Sequence, residues 1–234
     1  MDPRLQDEGL SDTYQLADQS TLDEACKVVS KLNTGARALM DRHLDVPVIK
    51  DLFFDKKLQA VVAENFGTDL FLWRSNFFAK GEGCPQISWH HDRHFEDGES
   101  PIDIYNTDNH FSILIALTDI DREAGGVEYM KGTQQRVEGF DRDLPRHIGD
   151  TPEIVAGRVT ELPLKRGEFV VFYSSLLHRS LAFGEGEGRI SMVGRLARQG
   201  TRFPEVGAQN PAGGAQTEAE PIAKFKESSK IPFN

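Results

Sequence analysis

The hydrophobic positions change their spacing about one third of the way along the chain. Over residues 22–39, apolar side chains recur every three or four positions, which predicts an amphipathic helix with one buried stripe. Thr21 and Glu24 stand at its start with the spacing of a capping box. Residues 1–19 are largely polar, and we expect them to wrap the surface.

A second amphipathic helix is predicted between Asp51 and Gly67. Asp51 can cap its first turn, and Gly67 can end it because glycine adopts the left-handed conformation at a helix C-terminus. Two helices ahead of any strong strand pattern indicate a supporting layer. This layer is expected to span about residues 20–67.

Beyond residue 69 the pattern becomes that of short strands. Residues 111–117 are nearly continuously apolar, as expected of a central strand that is buried on both faces. Residues 159–164 and 169–173, separated by a turn at Gly167, predict a hairpin. The other predicted strands are 70–78, 87–91, 127–130 and 189–196.

Helices followed by short strands and long loops indicate a mixed α+β fold, and we expect one domain over residues 1–234. A jelly-roll core of cupin-like type over about residues 69–198 fits these strands and encloses a cavity between two sheets. The polar loop 93–110 has the length of a lid or binding loop. Residues 199–234 are rich in Pro, Gly and Ala and are expected to form a mobile or draped tail.

Composition narrows the classes of partner. Acidic residues outnumber basic ones by 37 to 27, so the net charge of −10 argues against nucleic acid or an anionic membrane surface as the main partner. The chain has no apolar run of transmembrane length and no visible secretion signal. Its two cysteines form no CxxC motif, which favours a reducing compartment, and we expect a cytoplasmic protein.

A histidine cluster follows the predicted strand 87–91. His90 and Asp92 stand two residues apart, so on an extended chain their side chains point to the same face. One imidazole and one carboxylate are two of the three ligands of the facial triad that leaves three positions open on Fe(II). The alternative is a loop aspartate that accepts a hydrogen bond from a structural histidine. His91 has the wrong parity to act with Asp92 and is expected behind the ligands or facing outward.

The third ligand has to be a histidine from another strand. His178 alone follows a strongly apolar strand and precedes another. Arg189 opens that next strand, eleven residues later, and a guanidinium pairs a carboxylate through two hydrogen bonds. Ser180 can add a hydroxyl to the same carboxylate. As alternatives, His178 is a core histidine, and Arg189 caps a turn beside Glu185 and Glu187.

This ordered set of residues resembles the phytanoyl-CoA dioxygenase-like branch of the Fe(II)/2-oxoglutarate-dependent oxygenases. The resemblance covers about residues 70–198. Residues 116–128 are similar to the family's passage from a central strand into an acidic turn that contains glycine. Residues 130–134, Met-Lys-Gly-Thr-Gln, take the place of the family's usual Pro-Gly-Ser-His and depart from it at the proline and the histidine.

The resemblance implies a double-stranded β-helix in which His90, Asp92 and His178 hold Fe(II). It also implies that Arg189, helped by Ser180, binds the distal carboxylate of 2-oxoglutarate and that O2 is the further co-substrate. Oxidative decarboxylation to succinate and CO2 would then be coupled to attack on a substrate C–H bond. Halogenating members carry Ala or Gly at the position of Asp92, so its presence favours hydroxylation.

Further side chains are candidates for binding the co-substrate or the substrate. Arg74 and Asn76 share one face of the strand before the motif, and they either contact the oxoacid or substrate or form a solvated sheet face. Trp89 either walls the pocket or packs in the core. Arg93 and His94 begin the loop where substrate contacts are often made, and their charge suits a polar zwitterion such as an amino acid.

The favoured hypothesis is a hydroxylase of a small polar metabolite, either a free amino acid or a natural-product intermediate. One alternative is a jelly-roll protein that binds or senses a metal without turnover, which has no need of Arg189. Another is a cupin-type isomerase or hydrolase that works without O2. An oxygenase with a desaturase, cyclase or halogenase outcome also stays open, as do the substrate and the oligomeric state.

Overall fold

The computed structural model describes residues 1–32, 38–92, 105–140, 153–201 and 231–232. Within these ranges the chain forms five α-helices and eleven strands. The helices are α1 (Pro3–Glu8), α2 (Gln19–Leu32), α3 (Pro47–Phe53), α4 (Lys56–Phe66) and α5 (Glu153–Ala156), with a 3-10 turn at Arg42–Leu44. The strands are β1 (Tyr14–Gln15), β2 (Ala38–Met40), β3 (Leu70–Lys80), β4 (Ile87–His90), β5 (His110–Ala116), β6 (Val127–Met130), β7 (Val159–Leu162), β8 (Glu168–Tyr173), β9 (His178–Ser180), β10 (Arg189–Arg198) and β11 (Ile231–Pro232).

The strands form two antiparallel sheets, as expected for a jelly roll with supporting helices. The larger sheet has the order β1-β8-β5-β10-β3-β11, with β2 also pairing with β3, and the smaller sheet has the order β4-β9-β6-β7. Apart from β6-β7 and β2-β3, neighbouring strands are not consecutive in sequence, which is the connectivity of a double-sheet roll rather than of a meander. The predicted fold class is confirmed.

The larger sheet lies between the helices and the smaller sheet. On β5, Ile113 and Ile115 pack in the core that includes the helices, whereas Leu114 and Ala116 pack toward the smaller sheet. Side chains alternate between the two faces of a strand, so a strand covered on both faces has to be apolar throughout. This arrangement explains the continuous apolar run and confirms the predicted central strand.

The helical layer begins at different residues from those predicted. The carboxylate of Asp18 accepts the backbone N–H groups of Ser20 and Thr21, so α2 starts at Gln19 and Thr21 is not its cap. The capping-box prediction was wrong because a carboxylate three residues earlier already binds the free N–H groups of the first turn.

The second predicted helix is two helices in the structure. Pro47 starts α3, where its missing N–H costs nothing, and Asp55 rather than Asp51 caps α4 by accepting the N–H groups of Lys57 and Leu58. Gly67 ends α4 as predicted and has a positive φ of 87°, but its ψ of −174° lies outside the left-handed helical region.

The N-terminal segment is integrated into the fold rather than wrapped around it. Leu5, Leu10 and Leu16 are buried, and β1 pairs with β8 of the larger sheet. Glu8 at the end of α1 accepts a hydrogen bond of 2.5 Å from the hydroxyl of Tyr129 on β6. The expected surface position of residues 1–19 was wrong, because three leucines at wide spacing are enough to bury a segment that is polar on average.

The predicted hairpin after residue 159 was also wrong. Strand β7 pairs with β6 in the smaller sheet, whereas β8 pairs with β5 and β1 in the larger sheet. Between them Leu164 forms a bridge with Ile120, and the chain crosses from one sheet to the other. Most of the predicted tail lies outside the described residues, but β11 near its end pairs with β3. In the described part of the chain, every helix is too short or too polar to cross a membrane.

Candidate active site

Two of the predicted ligands lie side by side in the smaller sheet. Strands β4 and β9 pair with an irregularity between Ile87 and His90, which places His90 directly opposite His178. The centroids of the two imidazole rings are 4.2 Å apart. The two histidines therefore present their rings to the same point of the space between the sheets.

Backbone carbonyl groups orient both imidazoles. The Nδ1 of His90 lies 2.8 Å from the carbonyl oxygen of Ser88, and the Nδ1 of His178 lies 3.0 Å from that of Leu176. A carbonyl oxygen only accepts, so each Nδ1 donates its hydrogen and each Nε2 keeps a lone pair. This is the tautomer that a histidine needs to bind a metal through Nε2, and the hydrogen bond holds the ring in place.

Asp92 completes the group just beyond the end of β4. Its backbone N–H donates to the carbonyl of Ser174 at 2.7 Å, and its Oδ1 lies 4.0 Å from the Nε2 of His178. One ligand atom from each of His90, Asp92 and His178 lies within 4.8 Å of the other two, so the three can hold a metal ion. A separation of 4.0 Å is too long for a hydrogen bond between these two atoms.

Two residues that the sequence analysis did not single out hold the carboxylate of Asp92. The Nη2 of Arg195 donates to Oδ1 at 2.6 Å, and the hydroxyl of Ser112 donates to Oδ2 at 3.1 Å. The sequence contains a signal for each of these two residues. Arg195 stands six residues after Arg189 and so faces the same side of β10, and Ser112 is the one polar residue inside the apolar run of β5.

Arg189 lies on the inner face of β10 and is almost completely buried, with 3% of its surface exposed. Its Nε donates to the carbonyl of Gly125 at 2.9 Å, and its Nη1 donates to the hydroxyl of Ser191 at 2.7 Å. Burial lowers the pKa of Arg189 to about 10. Within the described ranges it forms no ion pair with a carboxylate, and neither Glu185 nor Glu187 pairs with it as a turn cap would require.

Ser180 faces the same space as Arg189. Its hydroxyl is buried and has no hydrogen-bond partner among the residues that the structure describes. Arg189, Ser180, His90 and His178 all line one cavity between the sheets, with an empty volume of about 600 Å³ that includes its open mouth. The apolar walls of this cavity include Leu10, Leu114, Tyr129, Phe172 and Val193.

These residues fit both a metal ion and a dicarboxylic acid. Two Nε2 atoms and one carboxylate oxygen form a donor set that suits Fe(II) and leaves coordination positions open. A buried guanidinium without a described carboxylate partner and an unbonded hydroxyl form a site that a carboxylate would complete.

Arg74 and Asn76 also lie on the inner face of the larger sheet. On β3 they stand opposite Arg195 and Val193, and Val193 lines the cavity. Asn76 is buried, and its Oδ1 has no hydrogen-bond partner among the described residues. The side chain of Arg74 is 12% exposed, and its Nε lies 4.0 Å from Asp41. The alternative of a solvated sheet face was therefore wrong, while contact with a co-substrate or substrate stays a prediction.

The remaining candidates are placed differently. Trp89 is fully buried in a cluster with Met130, Val155 and Leu177, so it packs in the core rather than forming a cavity wall. His91 is buried, and it does not face outward. The predicted substrate residues 93 and 94, Arg93 and His94, lie outside the described residues.

The sequence matches one family model, described as phytanoyl-CoA dioxygenase (PhyH), over residues 9–186. That match includes His90, Asp92, His178 and Ser180 and ends just before Arg189. A search of curated proteins finds no significant match to the sequence.

Solved structures with a similar fold include several that are described as non-heme enzymes. The alpha-ketoglutarate-dependent epimerase SnoN from nogalamycin biosynthesis is 17% identical with a TM-score of 0.72, over 93% of this chain and 89% of SnoN. CytC3 with Fe(II) and alpha-ketoglutarate is 19% identical with a TM-score of 0.66, over 99% and 86%. EctD from S. alaskensis is 16% identical with a TM-score of 0.68, over 86% and 76%. At these identities the similarity shows a shared fold.

Proposed function

The chain belongs to the phytanoyl-CoA dioxygenase family, and on that premise we propose that it hydroxylates a small polar metabolite in a reaction that requires Fe(II), 2-oxoglutarate and O2. The predicted resemblance is confirmed by the family match. The observation that supports the proposal best is one cavity lined by His90, His178, a buried arginine and an unbonded serine hydroxyl, with the carboxylate of Asp92 grouped with the two histidines. A site that only stores or senses a metal has no use for the last two.

In this proposal His90, Asp92 and His178 hold Fe(II). When bound, Fe(II) would supply the activation of O2 that is coupled to decarboxylation of 2-oxoglutarate to succinate and CO2. The chain contributes the fixed tautomers of both imidazoles, through the carbonyl groups of Ser88 and Leu176, and an apolar cavity that excludes water from the reacting groups.

Arg189 and Ser180 bind the distal carboxylate of the co-substrate in the same proposal. The buried guanidinium gains the charged partner that it lacks in the described structure, and the serine hydroxyl gains an acceptor. Asn76 and Arg74, on the neighbouring strand, are proposed to contact the oxoacid end or the substrate. Arg93 and His94 stay predicted substrate residues, whereas the core position of Trp89 does not support a contact with the substrate.

The type of reaction, hydroxylation rather than halogenation, and the class of substrate are also part of the proposal. A carboxylate at position 92 occupies the place that halogenating relatives leave for chloride, which supports hydroxylation. The cofactors named with CytC3 support Fe(II) and 2-oxoglutarate here, and the biosynthetic setting of SnoN supports a natural-product intermediate beside a free amino acid.

The test is release of succinate by the purified protein supplied with Fe(II), 2-oxoglutarate and O2, screened over free amino acids and biosynthetic intermediates. We expect a substrate to stimulate succinate release and to gain one oxygen atom by mass spectrometry. Turnover under strictly anaerobic conditions would refute the oxygenase. Absence of turnover together with no effect of Arg189→Ala on 2-oxoglutarate binding would favour a metal-binding protein.

A further inference from the structure

The candidate ligands are attached to two different sheets. His90 and His178 lie on β4 and β9 of the smaller sheet. Asp92 follows β4, but its backbone and carboxylate contact the side that belongs to the larger sheet. Its partners there are Ser174 just after β8, Ser112 on β5 and Arg195 on β10. The larger sheet therefore sets the position of the carboxylate relative to the two imidazoles.

The hydrogen bonds of Asp92 distinguish its two oxygens. Oδ1 faces the Nε2 of His178 at 4.0 Å, and the same oxygen accepts from Arg195 at 2.6 Å. A carboxylate oxygen accepts in two lone-pair directions, so an oxygen that accepts from Arg195 can also bind a metal ion. Oδ2 accepts from Ser112, whose hydroxyl also lies 2.9 Å from that of Ser174.

We propose that Arg195 is a positioning residue that, with Ser112, holds Asp92 so that it binds the metal through Oδ1 alone. The inference rests on the proposed function, because it concerns the same metal site. Without the guanidinium, the carboxylate could rotate about its Cβ–Cγ bond and would offer both oxygens to a metal ion. The second carboxylate oxygen would then compete with the oxoacid end of the co-substrate.

The ion pair between Arg195 and Asp92 is buried, which strengthens the effect of the guanidinium on the position of the carboxylate. The side chains of Arg195 and Asp92 are 5% and 3% exposed, so water and salt screen their interaction little. The planar guanidinium also fixes the direction of its N–H groups, whereas an ammonium group in its place keeps the charge without that direction.

The experiment uses Co(II) as a spectroscopic probe of the metal-free full-length protein. Co(II) affinity, the visible Co(II) spectrum and the affinity of the Co(II) form for 2-oxoglutarate are measured for wild type, Arg195→Gln, Arg195→Lys and Ser112→Ala. Arg198→Gln is the matched control, because Arg198 lies on the same strand in a more exposed pair with Asp69.

We expect Arg195→Gln to bind Co(II) roughly 10- to 100-fold more weakly, the range that outer partners of metal ligands usually show. Its Co(II) spectrum should change and its 2-oxoglutarate affinity should fall, whereas Arg195→Lys should recover part of the Co(II) affinity with an altered spectrum. Arg198→Gln should match wild type. A purely structural role would lower the unfolding temperature of the metal-free variants and leave the Co(II) spectrum and affinity unchanged.

Wild-type Co(II) and 2-oxoglutarate affinities in Arg195→Gln would overturn the inference. If that variant does not fold, Ser112→Ala and Arg195→Lys decide, since wild-type spectra and affinities in both would overturn it equally. Failure of the wild-type protein to bind one Co(II) would instead refute the proposed function.

Discussion

Replacement of Arg189 by methionine separates the stability of the protein from its ability to bind 2-oxoglutarate. Methionine has a similar length and no charge, so the variant removes a buried cation without leaving a large cavity. Arg189 has hydrogen bonds to Gly125 and Ser191, and no described carboxylate neutralises it. Its contribution to the ligand-free fold is therefore small, while its contribution to binding a dicarboxylate is large.

The magnitudes follow from the contacts. Burial lowers the pKa of Arg189 to about 10, and this decrease corresponds to about 3 kcal/mol of unfavourable desolvation that Arg189→Met removes. The two lost hydrogen bonds are each worth about 1–1.5 kcal/mol, so the free energy of unfolding should change by no more than about 1 kcal/mol. Two lost hydrogen bonds to a carboxylate, at about 1.5–3 kcal/mol each, should weaken 2-oxoglutarate binding by roughly 10²- to 10⁴-fold.

Urea unfolding of the metal-free protein measures the first quantity, and calorimetric titration of the Co(II)-loaded protein with 2-oxoglutarate measures the second. Arg198→Met, on the same strand but in a partly exposed ion pair, is the control and should leave the 2-oxoglutarate affinity unchanged. An unchanged 2-oxoglutarate affinity in Arg189→Met would refute the assignment of this cavity end to a carboxylate. A loss of several kcal/mol in unfolding free energy would show that Arg189 is structural.

Three further predictions concern other described residues. Ser180→Ala should leave the free energy of unfolding unchanged, because the hydroxyl is unbonded, and should weaken 2-oxoglutarate binding by about 10-fold in the same titration; an unchanged affinity would contradict this. Burial lowers the pKa of His43 to about 4, so below pH 6.5 the unfolded chain takes up a proton that the folded protein does not. The unfolding free energy should then fall by about 3 kcal/mol from pH 6.5 to 4, and His43→Gln should flatten this profile in urea unfolding; an unaltered profile would exclude His43 as its source. Asp55→Ala should lower the unfolding free energy by about 1–2 kcal/mol through loss of the α4 cap, whereas Asp51→Ala should change it little, and equal effects would contradict the observed cap.

The spacing of hydrophobic residues predicted helices and strands well where one face, or both faces, of the element are buried. The strand 127–130 and the end of α4 at Gly67 agree with the structure, because alternation and a positive φ leave clear marks in the sequence. The hairpin failed for a physical reason. A turn after an alternating strand looks the same in sequence whether the chain returns to the same sheet or crosses to the other, and only pairings such as Leu164 with Ile120 distinguish the two.

In the candidate site, too, some residues could be predicted from the sequence and others could not. His90, Asp92 and His178 were predicted as ligands from parity and from the positions of strands, and the structure brings them together. Arg195 and Ser112 were not found, although their parity on β10 and β5 was available. Their importance depends on the contact of the Asp92 carboxylate with the larger sheet, and that contact results from the packing of the two sheets rather than from local sequence.

The most direct test of the central claim is an anaerobic crystal structure of the protein with Fe(II) and 2-oxoglutarate. We predict one metal ion bound to the Nε2 atoms of His90 and His178 and to Oδ1 of Asp92. The oxoacid end of 2-oxoglutarate should chelate this ion, and its distal carboxylate should contact Arg189 and Ser180. Metal bound elsewhere, or a distal carboxylate that does not reach Arg189, would contradict the account.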